Sequence, residues 1–399
     1  MTSANPISVA ALNFFNSDAG KRLLIATQEN DVGQSLKTQK LLRKSHSADL
    51  CRAALSVIEQ RRKAAADKFP SHGSHLFIDR EALEMASREE IAAYRAQRFG
   101  ACDRIADLCC GAGSDTCALA VWSRVIALDL NSIRLRMTQM NACTTGVGNR
   151  VSVVCGHGLH LPWKQVDAVF ADPSRRRSGQ RVRAAVAYEP CLEKLIALCR
   201  TIPRAAIKVA PGISYGQLPD DAEIEFISAA GQCREGVLYF GDLKSATRRA
   251  TILPGNNTIE SKSNCKVDVG TPGRFLYDPN PAVVRAHLID ELAFQLRGWK
   301  LDSQIAYISS DNAASTPFAR CYRVISEMPY NLQRLRKHLA TEAMIPTVIK
   351  KRRFPIDPEE LRRQLTNGLK NRKNTTKVTL ILTRLEKSSQ VFICEAIPN

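Results

Sequence analysis

The chain has 399 residues, with 57 Lys+Arg against 39 Asp+Glu, a formal net charge of +18, and 44% hydrophobic residues. At roughly 100–200 residues per domain that length holds several domains, and the composition excludes a mostly disordered chain. No uncharged apolar run reaches the ~18–20 residues that a membrane span needs.

Met1–Lys21 has neither a basic n-region nor an apolar h-region, so no signal peptide is read and a cytosolic location is expected. Residues 1–100 read as a helical region. Leu50, Ala54, Val57, Ile58 and Ala64 recur near helical spacing, Asp79 is a good N-cap for a further helix, and Gly100 would stop it. Residues 101–254 change pattern. The short apolar runs Ile105–Cys110, Val125–Leu130, Val151–Cys155, Ala168–Ala171 and Ala205–Ala210 alternate with the helical stretches Asp115–Trp122, Ser132–Cys143 and Glu189–Cys199. Such alternation predicts an α/β domain on a parallel sheet. Residues 255–273, rich in Gly, Asn, Ser and Lys, read as a linker. Residues 274–399 read as an α+β unit, with helices over Ala282–Leu296, Leu332–Leu339 and Pro358–Leu369, strands over Cys321–Ile325 and Thr347–Lys351, and a terminal hairpin.

Charge is unevenly spread. Between Cys321 and Asn399 there are 16 Lys/Arg and seven Asp/Glu, and Arg175, Arg176, Arg177, Arg181 and Arg183 fall within nine residues. Both features point to an anionic partner, nucleic acid first, against a merely solvated basic surface. The 13 cysteines are odd in number and scattered with no CxxC pair. They read as small buried hydrophobes in a reducing compartment, and no metal is expected.

Three elements carry chemistry. Asp107-Leu-Cys-Cys-Gly-Ala-Gly-Ser-Asp115 lies between a strand and a helix, and Gly111 and Gly113 allow a tight turn that a ligand can approach. The third glycine of a dinucleotide fingerprint is absent, as is a Walker lysine, which disfavours pyrophosphate. The turn suits the amino-acid part of S-adenosylmethionine, with Asp107 for its ammonium and Cys109 in the turn. Asp129, ending the second strand ahead of Leu130, is placed either for ribose hydroxyls or as a helix N-cap. Asp172-Pro173 ends the next strand but one. It is either a plain turn or the acceptor facing a transferred methyl, with Pro173 fixing the chain's exit.

In this order and spacing the three elements resemble a class I S-adenosylmethionine-dependent methyltransferase. The chain from about Leu41 further resembles the bacterial methyltransferases with a C-terminal THUMP-like domain. That match rests on Leu83–Ser87, Tyr94–Arg98, Asp172-Pro-Ser-Arg-Arg176, Lys208–Gly212, Tyr277–Ala282 and Ile349–Arg353. The resemblance implies a Rossmann-like sheet, an N-terminal helical cap and a terminal domain related in name to an RNA-binding module.

Two departures stand out. Ser174 and Arg175 replace the proline and aromatic that usually follow in methyltransferases of exocyclic amines, so ring stacking comes from elsewhere or is replaced by an arginine plane. His157 stands where many relatives place an Asp near the adenine amine, and is either an adenine contact or a surface-loop histidine. The leading expectation is methylation of a base nitrogen in RNA. Asp172 then accepts the nucleophile's hydrogens, Arg175 and Arg176 bind phosphate or the nucleotide, and Lys350, Lys351, Arg352 and Arg353 grip the backbone with Lys370–Lys373. DNA, a protein or an anionic metabolite as substrate, and a nucleic-acid-binding protein with a vestigial cofactor fold, are the alternatives.

Overall fold

The computed structural model describes residues 7–30, 40–100, 102–159, 165–174, 176–177, 180–181, 188–366, 375–385 and 388–398. It divides into two compact units, the first formed by Met1–Ile224 with Glu235–Ser245 and the second by Glu225–Arg234 with Ala246–Asn399.

The first unit opens with the helices α1 (Val9–Phe15), α2 (Asp18–Asn30), α3 (Ala48–Asp67), α4 (Arg80–Met85) and α5 (Glu89–Gln97). Ser8, Ser47 and Asp79 cap α1, α3 and α4 by accepting from backbone N–H groups in their first turns. The apolar faces do not close on themselves. Leu12, Phe15, Val57, Ile58 and Phe77 share one core with Met137 and Met140 of α7 (Ser132–Thr144). Each such buried side chain contributes about 1.5–3 kcal/mol. The boundary expected at residue 100 therefore does not separate two cores.

The sheet of this unit runs in the order β9-β7-β4-β1-β2-β3, comprising β1 (Arg104–Leu108), β2 (Arg124–Asp129), β3 (Val151–Cys155), β4 (Ala168–Ala171), β7 (Arg204–Val209) and the Glu235–Gly241 part of β9 (Gln232–Gly241). Strands β1–β4 and β7 are parallel, and β9 runs antiparallel to β7. Helices α6 (Ser114–Ala120), α7 and α8 (Leu192–Cys199) connect them. From β1 the chain fills one side with β2 and β3, then crosses to β4 and β7 on the other. That reversal opens a crevice at the carboxyl ends of β1 and β4. A two-residue ladder, β5 (Arg176–Arg177) with β6 (Gln180–Arg181), follows β4.

The second unit takes residues 225–229 of β8 (Glu223–Ala229) and contains β10 (Arg248–Leu253) and β11 (Asn257–Glu260), an antiparallel pair with Thr251 opposite Thr258. Part of the expected linker is thus strand, reached through a turn in which Gly255 and Asn256 both have positive φ. A seven-stranded sheet follows in the order β13-β14-β12-β15-β18-β17-β16. Its strands are β12 (Phe275–Pro279), β13 (Trp299–Asp302), β14 (Ile305–Ser310), β15 (Ala319–Pro329), β16 (Met344–Arg352), β17 (Thr376–Leu385) and β18 (Ser388–Ala396). Leu335 and Leu339 of α11 (Leu332–Thr341) and Leu361 and Leu365 of α12 (Pro358–Thr366) pack on Leu380 and Leu382. Ile381, between those two leucines, joins Tyr307, Tyr322 and Phe392 in a separate core. Burial on both faces makes this strand a continuous apolar run. The helix expected over Ala282–Leu296 is two, α9 (Pro281–Arg285) and α10 (Ile289–Gln295), parted where His287 takes φ 55°.

Candidate active site

A cavity of about 250 Å³ opens in the first unit, lined by the Cys109–Ala112 turn, Asp129, Leu130, His157 and Asp172–Ser174, with Ala82, Met85 and Ala86 of the N-terminal helices. The turn is fixed from three sides. Gly113 has φ 85°, and a Cβ built on it would lie 2.8 Å from Thr138 Cγ2, so glycine is required where α6 meets α7. Gly111 (φ 56°) accepts Thr138 Oγ1 on its carbonyl at 2.9 Å and donates its amide to Asp129 Oδ2 at 3.0 Å. Asn141 ties the turn to the helical region, donating to Ala112 O and to Phe77 O, each at 2.8 Å.

Asp107 is fully buried beneath the turn. Its Oδ2 accepts from Thr116 Oγ1 at 2.5 Å, while its Oδ1 has no hydrogen-bond partner among the described residues. Burial, with the nearby charge of Asp115, holds its carboxyl well above the usual range against the opposing Thr116 bond. An orphaned buried carboxylate oxygen under a glycine turn fits an ammonium group, the amino-acid end of S-adenosylmethionine. Because the folded pKa is raised, Asp107's favourable contribution to stability is complete below its unfolded value and is lost as pH rises through the folded one. At neutral pH, Asp107→Asn is therefore expected to raise Tm while weakening S-adenosylmethionine binding about 10–100-fold, through loss of a charge-assisted bond. Thermal unfolding at pH 7.5 with and without ligand checks both.

Of the two readings of Asp129, the N-cap falls away. Asn131 caps α7, accepting from Ile133 and Arg134 amides, and Asp129 instead accepts from Gly111 and Asn131 amides at the cavity wall. Leu130 beside it is 64% exposed. His157 Nδ1 accepts from the Leu159 amide at 3.3 Å, so the neutral ring carries its proton on Nε2. Cys109 also has positive φ, and burial with the surrounding carboxylates pushes its thiol up, keeping it protonated.

Across the cavity, the Asp172 amide donates to Leu108 O at 3.1 Å. Pro173 then turns the chain, and Ser174 exchanges two backbone bonds with Glu189, each 3.0 Å. Asp172 Oδ2 accepts from Lys208 Nζ at 2.6 Å, and Oδ1 has no partner among the described residues. Lys208 belongs to a buried cluster. Its Nζ also donates to Ser87 Oγ at 2.9 Å and lies 3.8 Å from Glu235 Oε2. Ser87 donates to Asp115 Oδ2 at 2.9 Å and accepts from Arg95 Nη2 at 3.0 Å. Arg95 forms close ion pairs with Asp115 and Glu235 and lies 4.7 Å over the Phe170 ring. Burial opposes the charges of Lys208 and Asp115, but opposite-charge neighbours outweigh it, holding Lys208 above its ordinary pKa and Asp115 below. Ser87, Arg95, Asp115, Lys208 and Glu235 were not among the sequence candidates. Three of them lie in the short family words, yet no spacing shows that those words meet.

Of the basic candidates, Arg175 and Arg176 belong to the segment after Asp172, and Lys350, Lys351, Arg352 and Arg353 to the second unit. Arg175 and Lys370–Lys373 lie outside the described residues, and Arg176 is described only by its backbone, opposite Arg181. In the second unit Lys350 and Arg352 both bind Asp278, at 2.5 and 2.9 Å. Lys351 donates to Ile356 O at 2.7 Å and Arg353 to Gln304 Oε1 at 2.5 Å. Two of these four charges thus answer one carboxylate of the same domain. Among the described residues no group of three His, Cys, Asp or Glu is placed to hold a metal, and no helix is long and apolar enough to cross a membrane.

The chain matches three family descriptions: RNA cap guanine-N2 methyltransferase over residues 102–179, THUMP domain-like over 319–396, and a domain of unknown function over 8–64. It is 32% identical over 296 residues to an uncharacterized S-adenosylmethionine-dependent methyltransferase of Mycobacterium tuberculosis, covering 73% of this chain and 80% of that one. A solved structure described as a methyltransferase, from Porphyromonas gingivalis W83, superposes with TM-score 0.74 at 20% identity, covering 95% of this chain and 99% of that one. A glycine turn, an acidic residue closing β2 and Asp-Pro after β4 on this sheet agree with those likenesses: the chain belongs to the class I S-adenosylmethionine-dependent methyltransferases and carries a C-terminal THUMP-like domain.

Proposed function

We propose that the enzyme methylates a nitrogen of a base in cytosolic RNA. The carrying observation is Asp172: a carboxylate on the cofactor-side cavity, with one oxygen held by Lys208 and the other without a partner among the described residues, is an acceptor for a nucleophile's N–H. When bound, S-adenosylmethionine supplies a methyl group already activated on a sulfonium. The chain's residues therefore mainly position and orient. In this reading Asp107, Cys109, Gly111 and Gly113 hold the amino-acid end, Asp129 and Leu130 the ribose side, and His157 donates from Nε2 to an adenine ring nitrogen. Pro173 fixes the chain beyond Asp172.

Support for RNA comes from the +18 charge and its concentration in the THUMP-like region, and from the matched RNA cap guanine-N2 methyltransferase description. Arg175 and Arg176 would meet phosphate or the nucleotide, and Lys351 and Arg353 the backbone. Lys350 and Arg352 would act only through the Asp278 cluster. Nucleoside mass spectrometry of RNA from a strain lacking the gene and from its parent tests the reading. Loss of one N-methylated nucleoside is expected, and an unchanged profile overturns it.

A further inference from the structure

We propose that Lys208 is a positioning residue for methyl transfer, pinning one oxygen of Asp172 so that the other is the single acceptor offered to the nucleophile. This rests on the reading of Asp172 as the acceptor.

Three observations carry it. Lys208 is 3% exposed, and its ammonium donates to Asp172 at 2.6 Å and to Ser87 at 2.9 Å, with the Glu235 carboxylate 3.8 Å away. Its other neighbours are themselves fixed. Arg95 pairs Glu235 and Asp115, and stacks on Phe170, two residues before Asp172. Finally, the cluster spans the site, because Asp115 lines the cavity on the glycine-turn side and Asp172 on the other.

A buried ion pair is weak as a source of stability, since desolvation offsets most of its attraction. It is effective at holding a carboxylate in one orientation. Surrounded by Asp172, Glu235 and Asp115, Lys208 stays protonated and is no proton acceptor. In the transfer step the nucleophile's nitrogen lone pair forms the N–C bond. The S–C bond breaks with its electron pair going to sulfur. The N–H held by Asp172 Oδ1 then leaves as a proton to water. The N-terminal helices take part directly, because Ser87 and Arg95 come from the segment before β1.

The test is a double-mutant cycle. Wild type, Lys208→Met, Asp172→Asn and the double variant are given methyl-tritiated S-adenosylmethionine and unfractionated lysate of a strain lacking the gene. Nuclease and protease arms identify the labelled class. Lys208→Met is expected to lower kcat about 30-fold, the worth of one charge-assisted bond, with cofactor Kd by calorimetry within about threefold. Added to Asp172→Asn, it is expected to cost no more than about threefold further, because Lys208 acts through Asp172. Losses that multiply, or a loss of cofactor binding matching the loss of rate, overturn the proposal. Should Lys208→Met fail to fold, Ser87→Ala is expected to lower kcat about 3–10-fold, an effect again absent beside Asp172→Asn. RNase-resistant labelling would overturn the RNA reading while leaving the cycle readable. No labelling by wild type would overturn both.

Discussion

Asp172→Asn is expected to lower kcat by about 10²–10³-fold while leaving S-adenosylmethionine affinity within a few-fold. The amide keeps the volume of the carboxyl, and its oxygen can still accept from Lys208 at the position Oδ2 now holds. The group turned to the cavity then becomes NH₂, a donor facing the donor of the nucleophile. Alanine is a poorer test, because it leaves the Lys208 ammonium buried beside Glu235 with its main partner gone, and instability would mix with lost chemistry. Single-turnover transfer with parallel calorimetry separates the two effects. Equal loss of rate and of cofactor binding would make Asp172 structural.

The second large effect falls on Arg95. Its side chain is 2% exposed and pairs with two carboxylates that are themselves 7% and 4% exposed, so solvent screens none of these charges appreciably. Arg95→Met takes the close ion pair from both Asp115 and Glu235, leaving Lys208 as the cation of the cluster. Removing one partner of a buried pair costs about 3–5 kcal/mol. For a unit of this size that lowers Tm by about 6–20 °C. The loss depends on pH with a definite sign. Asp115's pKa is depressed in the folded state, so its contribution is present above the unfolded value near 3.8 and is lost as pH falls through the folded one. Denaturant titrations of wild type and Arg95→Met are therefore expected to differ fully at pH 7 and to converge below about pH 4. S-adenosylmethionine binding is expected to fall as well, because Asp115 lines the cavity and Ser87 loses a donor.

Much of the catalytic unit is legible in the sequence because its signals are local. A parallel strand buried on both faces is a short apolar run, and Ala168–Ala171 reads as one without any knowledge of its neighbours. Gly111 and Gly113 announce a turn that only positive φ can make. Asp172-Pro173 announces a chain exit at a strand end. Arg95 and Glu235, by contrast, are 140 residues apart and meet only because the fold brings α5 and β9 together. Lys208 in isolation is an ordinary lysine closing an apolar strand. The same distance effect hides the pairing of Lys350 and Arg352 with Asp278, which no spacing in the sequence announces. Strand β11 was read as linker because only Ile259 is buried in it, and one buried position gives no alternation to detect. The break at His287 carries no sequence signal, being a left-handed residue without Gly or Asn chemistry.

The proposed reaction moves a methyl group from S-adenosylmethionine to a base nitrogen of RNA at Asp172. Purified wild-type protein and Asp172→Asn, each given methyl-deuterated S-adenosylmethionine and RNA from a strain lacking the gene, followed by nucleoside mass spectrometry, test it most directly. One nucleoside gaining a deuterated methyl on nitrogen with wild type, and none above background with the variant, is the predicted result. No labelled nucleoside with wild type, or equal labelling by both proteins, would contradict it.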